Sequence, residues 1–183
     1  SFVYQIMDYL IKKKDVKAVV LACNTATSAA LDIVQDKYSV PVFGTIKSVA
    51  RSAYKASKKG KVGVIGTEGT INSQAYQQAL LALDQELEVF AAACPQFVEL
   101  VEKGKFEGEE VEKIAHKYLE GLIKAGIDAL ILGCTHYPYL VPLIKKIMGA
   151  EVQLISSGQA MAEEIRCTLK NKNMLNENHN KEI

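Results

Sequence analysis

Asp128-Ala-Leu-Ile-Leu-Gly-Cys-Thr-His-Tyr-Pro-Tyr-Leu140 is the stretch on which the fold turns. Its apolar run, Ala129 to Leu132, is short and rich enough for a strand buried on both faces. Gly133 ends the run, and Cys134, Thr135 and His136 fall where a helix is expected to begin. In an open parallel sheet, ligands bind just past the carboxyl ends of strands. A thiol, a hydroxyl and an imidazole in a row at that place point to chemistry rather than packing. The same design occurs upstream: Lys17-Ala-Val-Val-Leu-Ala-Cys-Asn-Thr25 reads as strand, small residue, cysteine and polar pair.

Working outward, strands and helices alternate, which predicts a parallel, helix-covered sheet. A first helix is expected over Ser1 to Lys13, with Ser1 as N-cap. Strands follow at Lys17 to Ala22, Ser39 to Gly44, Lys61 to Ile65, Glu86 to Ala92, Asp128 to Leu132 and Glu151 to Ile155. Helices are expected at Thr25 to Tyr38, Ile46 to Lys58, Ile71 to Leu83, Cys94 to Lys103, Gly108 to Ala125 and Pro138 to Met148. A last helix runs to about Lys170, and the asparagine-rich end from Asn171 reads as a frayed tail. Pro41 stands eighteen residues after Cys23, and Val152 eighteen after Cys134. Both units end in a hydroxyl turn, at Thr45 and Ser156. This repeat predicts two pseudosymmetric βαβ lobes facing a shared cleft: residues 1–47 with 157–183, and residues 48–156.

The totals narrow the function. A chain of 183 residues with net charge +1 carries no electrostatic footprint for nucleic acid or an anionic membrane. No apolar run reaches the roughly 18 residues of a membrane span, and no signal-peptide pattern opens the sequence. Four cysteines, Cys23, Cys94, Cys134 and Cys167, include no C-x-x-C pair, so neither a disulfide scaffold nor a zinc site is expected. Reduced thiols in a cytoplasmic protein, binding a small molecule, is the reading. Whether a homodimer forms stays open.

Each cysteine alone reads as a small core residue. The pairing of Cys23 with Cys134, both at a strand end and both before hydroxyl donors, favours function. Helix N-termini are expected to lower the thiol pKa values from about 8.5 and to bind a substrate carboxylate. His136 reads as an acid or base partner of Cys134, with a helix-start role as the bland alternative. Thr67 and Thr70 follow another strand end and either line the cleft or cap a helix. Glu99 and Glu102 read as surface residues unless one turns toward the thiols. His116 reads as solvated or packing, His179 carries no inference, and Cys94 and Cys167 read as structural.

Two thiols on opposite sides of one carbon can exchange a proton from either face: one takes it as thiolate, the other returns one as thiol. The outcome is inversion of a stereocentre without a redox or electron-sink cofactor. The competing chemistry is acyl transfer by a Cys134–His136 dyad, which leaves the duplicated Cys23 unit without a purpose.

Ala22-Cys-Asn-Thr-Ala26 and Gly133-Cys-Thr-His-Tyr-Pro138 resemble the two signature motifs of bacterial glutamate racemases. Gly66-Thr67, Thr70-Ile71, Ser73-x-Ala75-Tyr76 and Ala93-Cys-Pro-x-Phe-Val-x-Leu-Val-Glu102 extend the likeness over residues 1 to about 170. The resemblance implies cofactor-free interconversion of L- and D-glutamate, supplying D-glutamate for peptidoglycan, with no metal. It implies that Cys23 acts on D-glutamate and Cys134, assisted by His136 and Glu102, on L-glutamate. Asn24, Thr25, Thr67, Thr70, Thr135 and His136 match substrate contacts, and the last helix is expected to return to the first lobe. The family's Asp-Ser-Gly strand end and Pro-Tyr-Gly segment do not occur in these residues. The first lobe is therefore expected to lack its N-terminal strands, and these 183 residues alone to show no significant racemase activity. The alternatives are a degenerate racemase-like binding or structural module, and a racemase of another acidic amino acid.

Overall fold

In the computed structural model, residues 2–176 are described. Helix α1 (Phe2–Lys14) ends at Asp15, which takes a left-handed φ of 48° and turns the chain into β1 (Val19–Leu21). Then come α2 (Asn24–Lys37), β2 (Val42–Gly44), α3 (Thr45–Ala56) and β3 (Lys61–Gly66). The next elements are α4 (Glu68–Asn72), α5 (Ala75–Leu81), β4 (Glu88–Ala93), α6 (Pro95–Glu102) and α7 (Glu109–Ala125). Strand β5 (Ala129–Gly133) leads to a 3₁₀ turn over Tyr137–Leu140, then α8 (Val141–Met148), β6 (Gln153–Ile155) and α9 (Ser157–Asn171). Ser1, expected as an N-cap, and His179 in the tail lie outside the described residues.

All strand pairings are parallel, as the alternation of strands and helices predicts. One sheet has the order β4-β3-β5-β6, and a two-stranded sheet pairs β1 with β2. Strand β5 is central, and its five residues are all buried. Their side chains alternate between two layers. Leu130 and Leu132 face α6, α7 and α8 with Phe97, Leu119 and Ile144. Ala129 and Ile131 face α3 and α5 with Val49, Ala53, Tyr76 and Leu80. In α7 the buried positions Val111, Ala115, Leu119 and Leu122 recur at helical spacing, which is why this stripe faces the sheet. The smaller sheet has its own core of Met7, Val19, Leu31, Val34 and Val42. Helix α9 packs on α3 and β2, and Arg51 pairs with Glu164 at 2.9 Å. Lys17 Nζ reaches the Met174 carbonyl at 2.5 Å, so the end of α9 is tied to the start of β1.

Two expected helices differ from what is observed. The helix predicted over Ile71 to Leu83 is broken: α4 ends at Asn72, and Gln74 takes a left-handed φ of 55° before α5. The break redirects the chain so that Tyr76 and Leu80 enter the core. No α-helix starts directly after Cys134 either. A 3₁₀ turn intervenes, closed by Tyr137 N–H to the Cys134 carbonyl at 3.2 Å, and α8 starts only at Val141.

Asp128 anchors the foot of β5. It is buried, and its carboxylate accepts hydrogen bonds from Ser57 Oγ at 2.6 Å, Lys58 N at 2.6 Å and Lys59 N at 2.7 Å. Burial pushes its pKa up, but the Ser57 hydroxyl and the two backbone N–H groups more than offset this and hold it below the usual range.

Candidate active site at the strand ends

The carboxyl ends of β1, β3 and β5 bring the candidate residues together. Cys23 ends the β1 unit as the N-cap residue of α2, with Thr27 N–H bonded to its carbonyl at 2.9 Å. Its side chain is exposed and makes no hydrogen bond among the described residues. Cys134 ends the β5 unit and is 8 % exposed. Its Sγ lies 3.7 Å from His136 Nδ1, and His136 Nε2 lies 2.5 Å from Glu102 Oε1. The sequence left open whether an acidic residue of α6 turns toward the thiols; Glu102, the last residue of α6, makes that connection through the imidazole.

The thiol pKa of Cys134 departs from the sequence-based expectation. Burial pushes it up; the backbone N–H groups of His136, Tyr137 and Thr135 pull it down without overcoming that penalty. The charge of Cys23 also raises it. The expected lowering by a helix N-terminus is therefore not realised at Cys134, because a 3₁₀ turn replaces the helix start and the thiol is desolvated.

Three threonines tie the carboxyl end of β1 to that of β3. Thr25 Oγ1 lies 2.8 Å from Thr67 Oγ1 and 3.1 Å from Thr70 Oγ1, and Thr67 and Thr70 are 3.1 Å apart. Thr67 also caps α4 by accepting from Thr70 N at 3.3 Å, so capping and clustering coexist. The approach is close: a Cβ on Gly69 would sit 3.2 Å from Thr25 Cγ2. Thr135 is exposed beside Cys134.

Asn24 is buried, 1 % exposed. Its Oδ1 accepts from the Tyr76 hydroxyl at 2.6 Å, while its Nδ2 has no partner among the described residues. A buried amide nitrogen without an acceptor is costly, about 1–3 kcal/mol, unless something else completes it. Tyr76 was legible in the sequence only as part of a motif; its partnership with Asn24 spans 52 positions and no local pattern reveals it.

The remaining candidates separate cleanly. Cys94 is buried with its thiol toward the Ala92 carbonyl at 3.6 Å, and burial pushes it up to about 12, an inert structural thiol. Cys167 and Glu99 are exposed. His116 lies exposed on α7, as expected. Among the described residues no cluster of three or more His, Cys, Asp or Glu side chains could hold a metal ion. Among them, too, no helix is long and apolar enough to cross a membrane.

Against this geometry stand the relatives. The family profile for Asp/Glu/hydantoin racemases matches residues 3–165. A glutamate racemase of Bacillus cereus is 44 % identical over 177 residues, covering 97 % of this chain and 65 % of that protein. One of Corynebacterium diphtheriae is 47 % identical over 163 residues, covering 89 % and 61 %. The crystal structure of the glutamate racemase isoform RacE1 of Bacillus anthracis superposes with a TM-score of 0.92 at 45 % identity, covering 97 % of this chain and 66 % of that one. The Francisella tularensis glutamate racemase, solved in complex with D-glutamate, gives 0.90 at 36 % identity, covering 99 % and 67 %. The chain thus spans a little under two thirds of the length of the curated relatives it matches. It belongs to the Asp/Glu/hydantoin racemase family.

Proposed function

We propose that this chain carries the two thiols of a glutamate racemase, which interconverts L- and D-glutamate by proton transfer at the α-carbon without a cofactor. The observation that carries this reading is the position of the two cysteines at the ends of parallel strands β1 and β5, with His136 and Glu102 beside Cys134. Two thiols at neighbouring strand ends suit a cycle with one thiolate and one thiol at any moment. The thiolate removes the α-proton on one face, and the thiol donates its proton on the other. The charge states of the two sulfurs are then exchanged, ready for the reverse direction.

Cys134 is the base toward L-glutamate in this reading, with His136 as its proton partner and Glu102 holding the imidazole. Cys23 is the base toward D-glutamate. Asn24, Thr25, Thr67, Thr70, Thr135 and His136 hold the carboxylates and the amino group. The unpartnered Asn24 amide supports this, since it is a donor awaiting an oxygen. The D-glutamate so formed is proposed to feed peptidoglycan synthesis in the cytoplasm. The lobes are proposed as residues 1–47 with 157–183, and residues 48–156.

A second reading is a racemase-like module that binds without turnover. Its support is the partnerless, exposed side chain of Cys23, against the imidazole and carboxylate beside Cys134. Circular dichroism of free L-glutamate, incubated with the complete polypeptide that carries these residues, separates the two. A decay of the signal to zero supports the racemase. A constant signal, together with saturable glutamate binding by calorimetry, supports the module and overturns the racemase.

A further inference from the structure

We infer that Tyr76 is the positioning residue that fixes Asn24 as a hydrogen-bond donor toward the bound amino acid. The inference rests on the glutamate reading above, which places Asn24 at the substrate but gives Tyr76 no role.

Asn24 begins α2 directly after Cys23, whereas Tyr76 belongs to α5, packed under the larger sheet. Both are 1 % exposed, and the Tyr76 hydroxyl lies 2.6 Å from Asn24 Oδ1. An asparagine amide has two faces to offer, an acceptor and a pair of donors. Whichever face Tyr76 takes, the other is left for the ligand. Burial pushes the Tyr76 hydroxyl pKa up, above the ordinary phenol value, so it keeps its proton. As a proton donor it engages Oδ1, and Nδ2 is left unpaired and buried. A carboxylate oxygen is the ligand group that two amide hydrogens can satisfy.

The backbone is arranged to admit the ring. Gly133 stands immediately before Cys134, and a Cβ there would sit 3.3 Å from Tyr76 Cε2 and 2.7 Å from the Ile65 carbonyl oxygen. The glycine thus lets the tyrosine pass beside the end of β5 and reach across to the residue after Cys23. One side chain connects the two thiol units, and a larger residue at position 133 would displace it. The break at Gln74 serves the same end by turning α5 so that Tyr76 points inward.

The test combines spectroscopy with a double-mutant cycle. A buried hydroxyl bonded to an amide oxygen gives a slowly exchanging, downfield proton resonance. That resonance is expected in the native protein, absent in Tyr76→Phe, and shifted in Asn24→Ala. An unshifted hydroxyl resonance in Asn24→Ala overturns the inference whether or not glutamate binds. D-glutamate is the ligand probe. Tyr76→Phe is expected to weaken its binding, and to raise KM in both directions, by about tenfold, the scale of one hydrogen bond, with kcat within about twofold. Added to Asn24→Ala, Tyr76→Phe is expected to cause no further loss, because the tyrosine acts only through the asparagine. Additive losses overturn the positioning role. If the native protein fails to bind D-glutamate, the glutamate reading falls, and the hydroxyl resonance alone decides whether Tyr76 orients Asn24.

Discussion

The two cysteine units are built from the same sequence design and end in different environments. Strand β5 is flanked on both sides, by β3 and β6, and its cysteine is buried beside an imidazole and a carboxylate. Strand β1 pairs with β2 alone among the described residues, and its cysteine is exposed with no side-chain partner. The local order is reversed: Cys23 sits at the N-cap of a 14-residue helix, and Cys134 at a 3₁₀ turn. Motif and environment are thus separable. Strand, small residue and cysteine specify where the thiol stands, and the neighbouring elements specify how it ionises.

The comparison breaks most decisively at the thiols themselves. Changing Cys134 to alanine is expected to lower racemisation by about 10²–10⁴-fold, the range for a lost general acid or base. The same change at Cys23 is expected to cost as much, despite its plainer surroundings, because each turnover of the proposed cycle needs both sulfurs. Steady-state rates from both enantiomers check this. A Cys23→Ala enzyme of near-native rate would identify Cys134 as the sole reactive group.

Next in size is the anchor of the β5 unit, for which β1 has no counterpart among its hydrogen bonds. Asp128→Ala leaves two backbone N–H groups and the Ser57 hydroxyl without their acceptor. A loss of about 2–4 kcal/mol is expected in denaturant unfolding, from buried donors left unpaired. Because the Asp128 pKa is lowered in the fold, its contribution is fully present above the unfolded carboxyl value of about 3.9. It is lost as pH falls through the folded value. Asp128→Ala should therefore flatten the acid limb of the stability profile, and an unchanged limb would remove this anchor from the explanation.

A smaller effect sharpens the contrast between the sulfurs. At pH 8, iodoacetamide is expected to label exposed Cys23 at least about tenfold faster than Cys134, whose thiol is buried and raised in pKa. Raising the pH should bring Cys134 labelling up, since its thiolate forms above the ordinary range. Cys94, pushed up to about 12, should stay unlabelled in the folded state. Peptide mass spectrometry resolves the sites, and equal rates for Cys23 and Cys134 would contradict the difference drawn here.

Smallest is Glu102→Gln. The Glu102–His136 pair has side-chain exposures of 68 % and 29 %, so solvent screens much of its attraction, and about 1 kcal/mol or less is at stake. A decrease of up to about fivefold is expected, larger for turnover of L-glutamate, which Cys134 is proposed to serve, than for D-glutamate. An equal decrease in both directions would detach Glu102 from the Cys134 side.

How much of this was legible in the sequence depends on the range of the interactions involved. The central strand β5 was legible because burial on both faces writes an uninterrupted apolar run, as in Ala129 to Leu132. The twin thiol units were legible because each is a contiguous motif. The break at Gln74 was not, since its left-handed backbone follows from where Tyr76 must pack rather than from a local turn residue. Nor was the raised pKa of Cys134, because desolvation depends on Tyr137, Leu140 and the helices that close over β5. The Glu102–His136 and Tyr76–Asn24 pairs join distant positions, 34 and 52 residues apart, and only the folded chain brings them into contact.

The most direct test of two thiols serving one carbon is isotope entry from solvent. In deuterium oxide, unlabelled L-glutamate should yield D-glutamate carrying deuterium at the α-position from the first turnovers, while unreacted L-glutamate stays unlabelled. Formation of labelled D-glutamate from L-glutamate should be lost on changing either Cys23 or Cys134 to alanine. Deuterium appearing in the unreacted L-enantiomer as fast as in the product would point to a single base. Deuterated D-glutamate that still forms from L-glutamate after the loss of Cys23 would contradict the paired site outright.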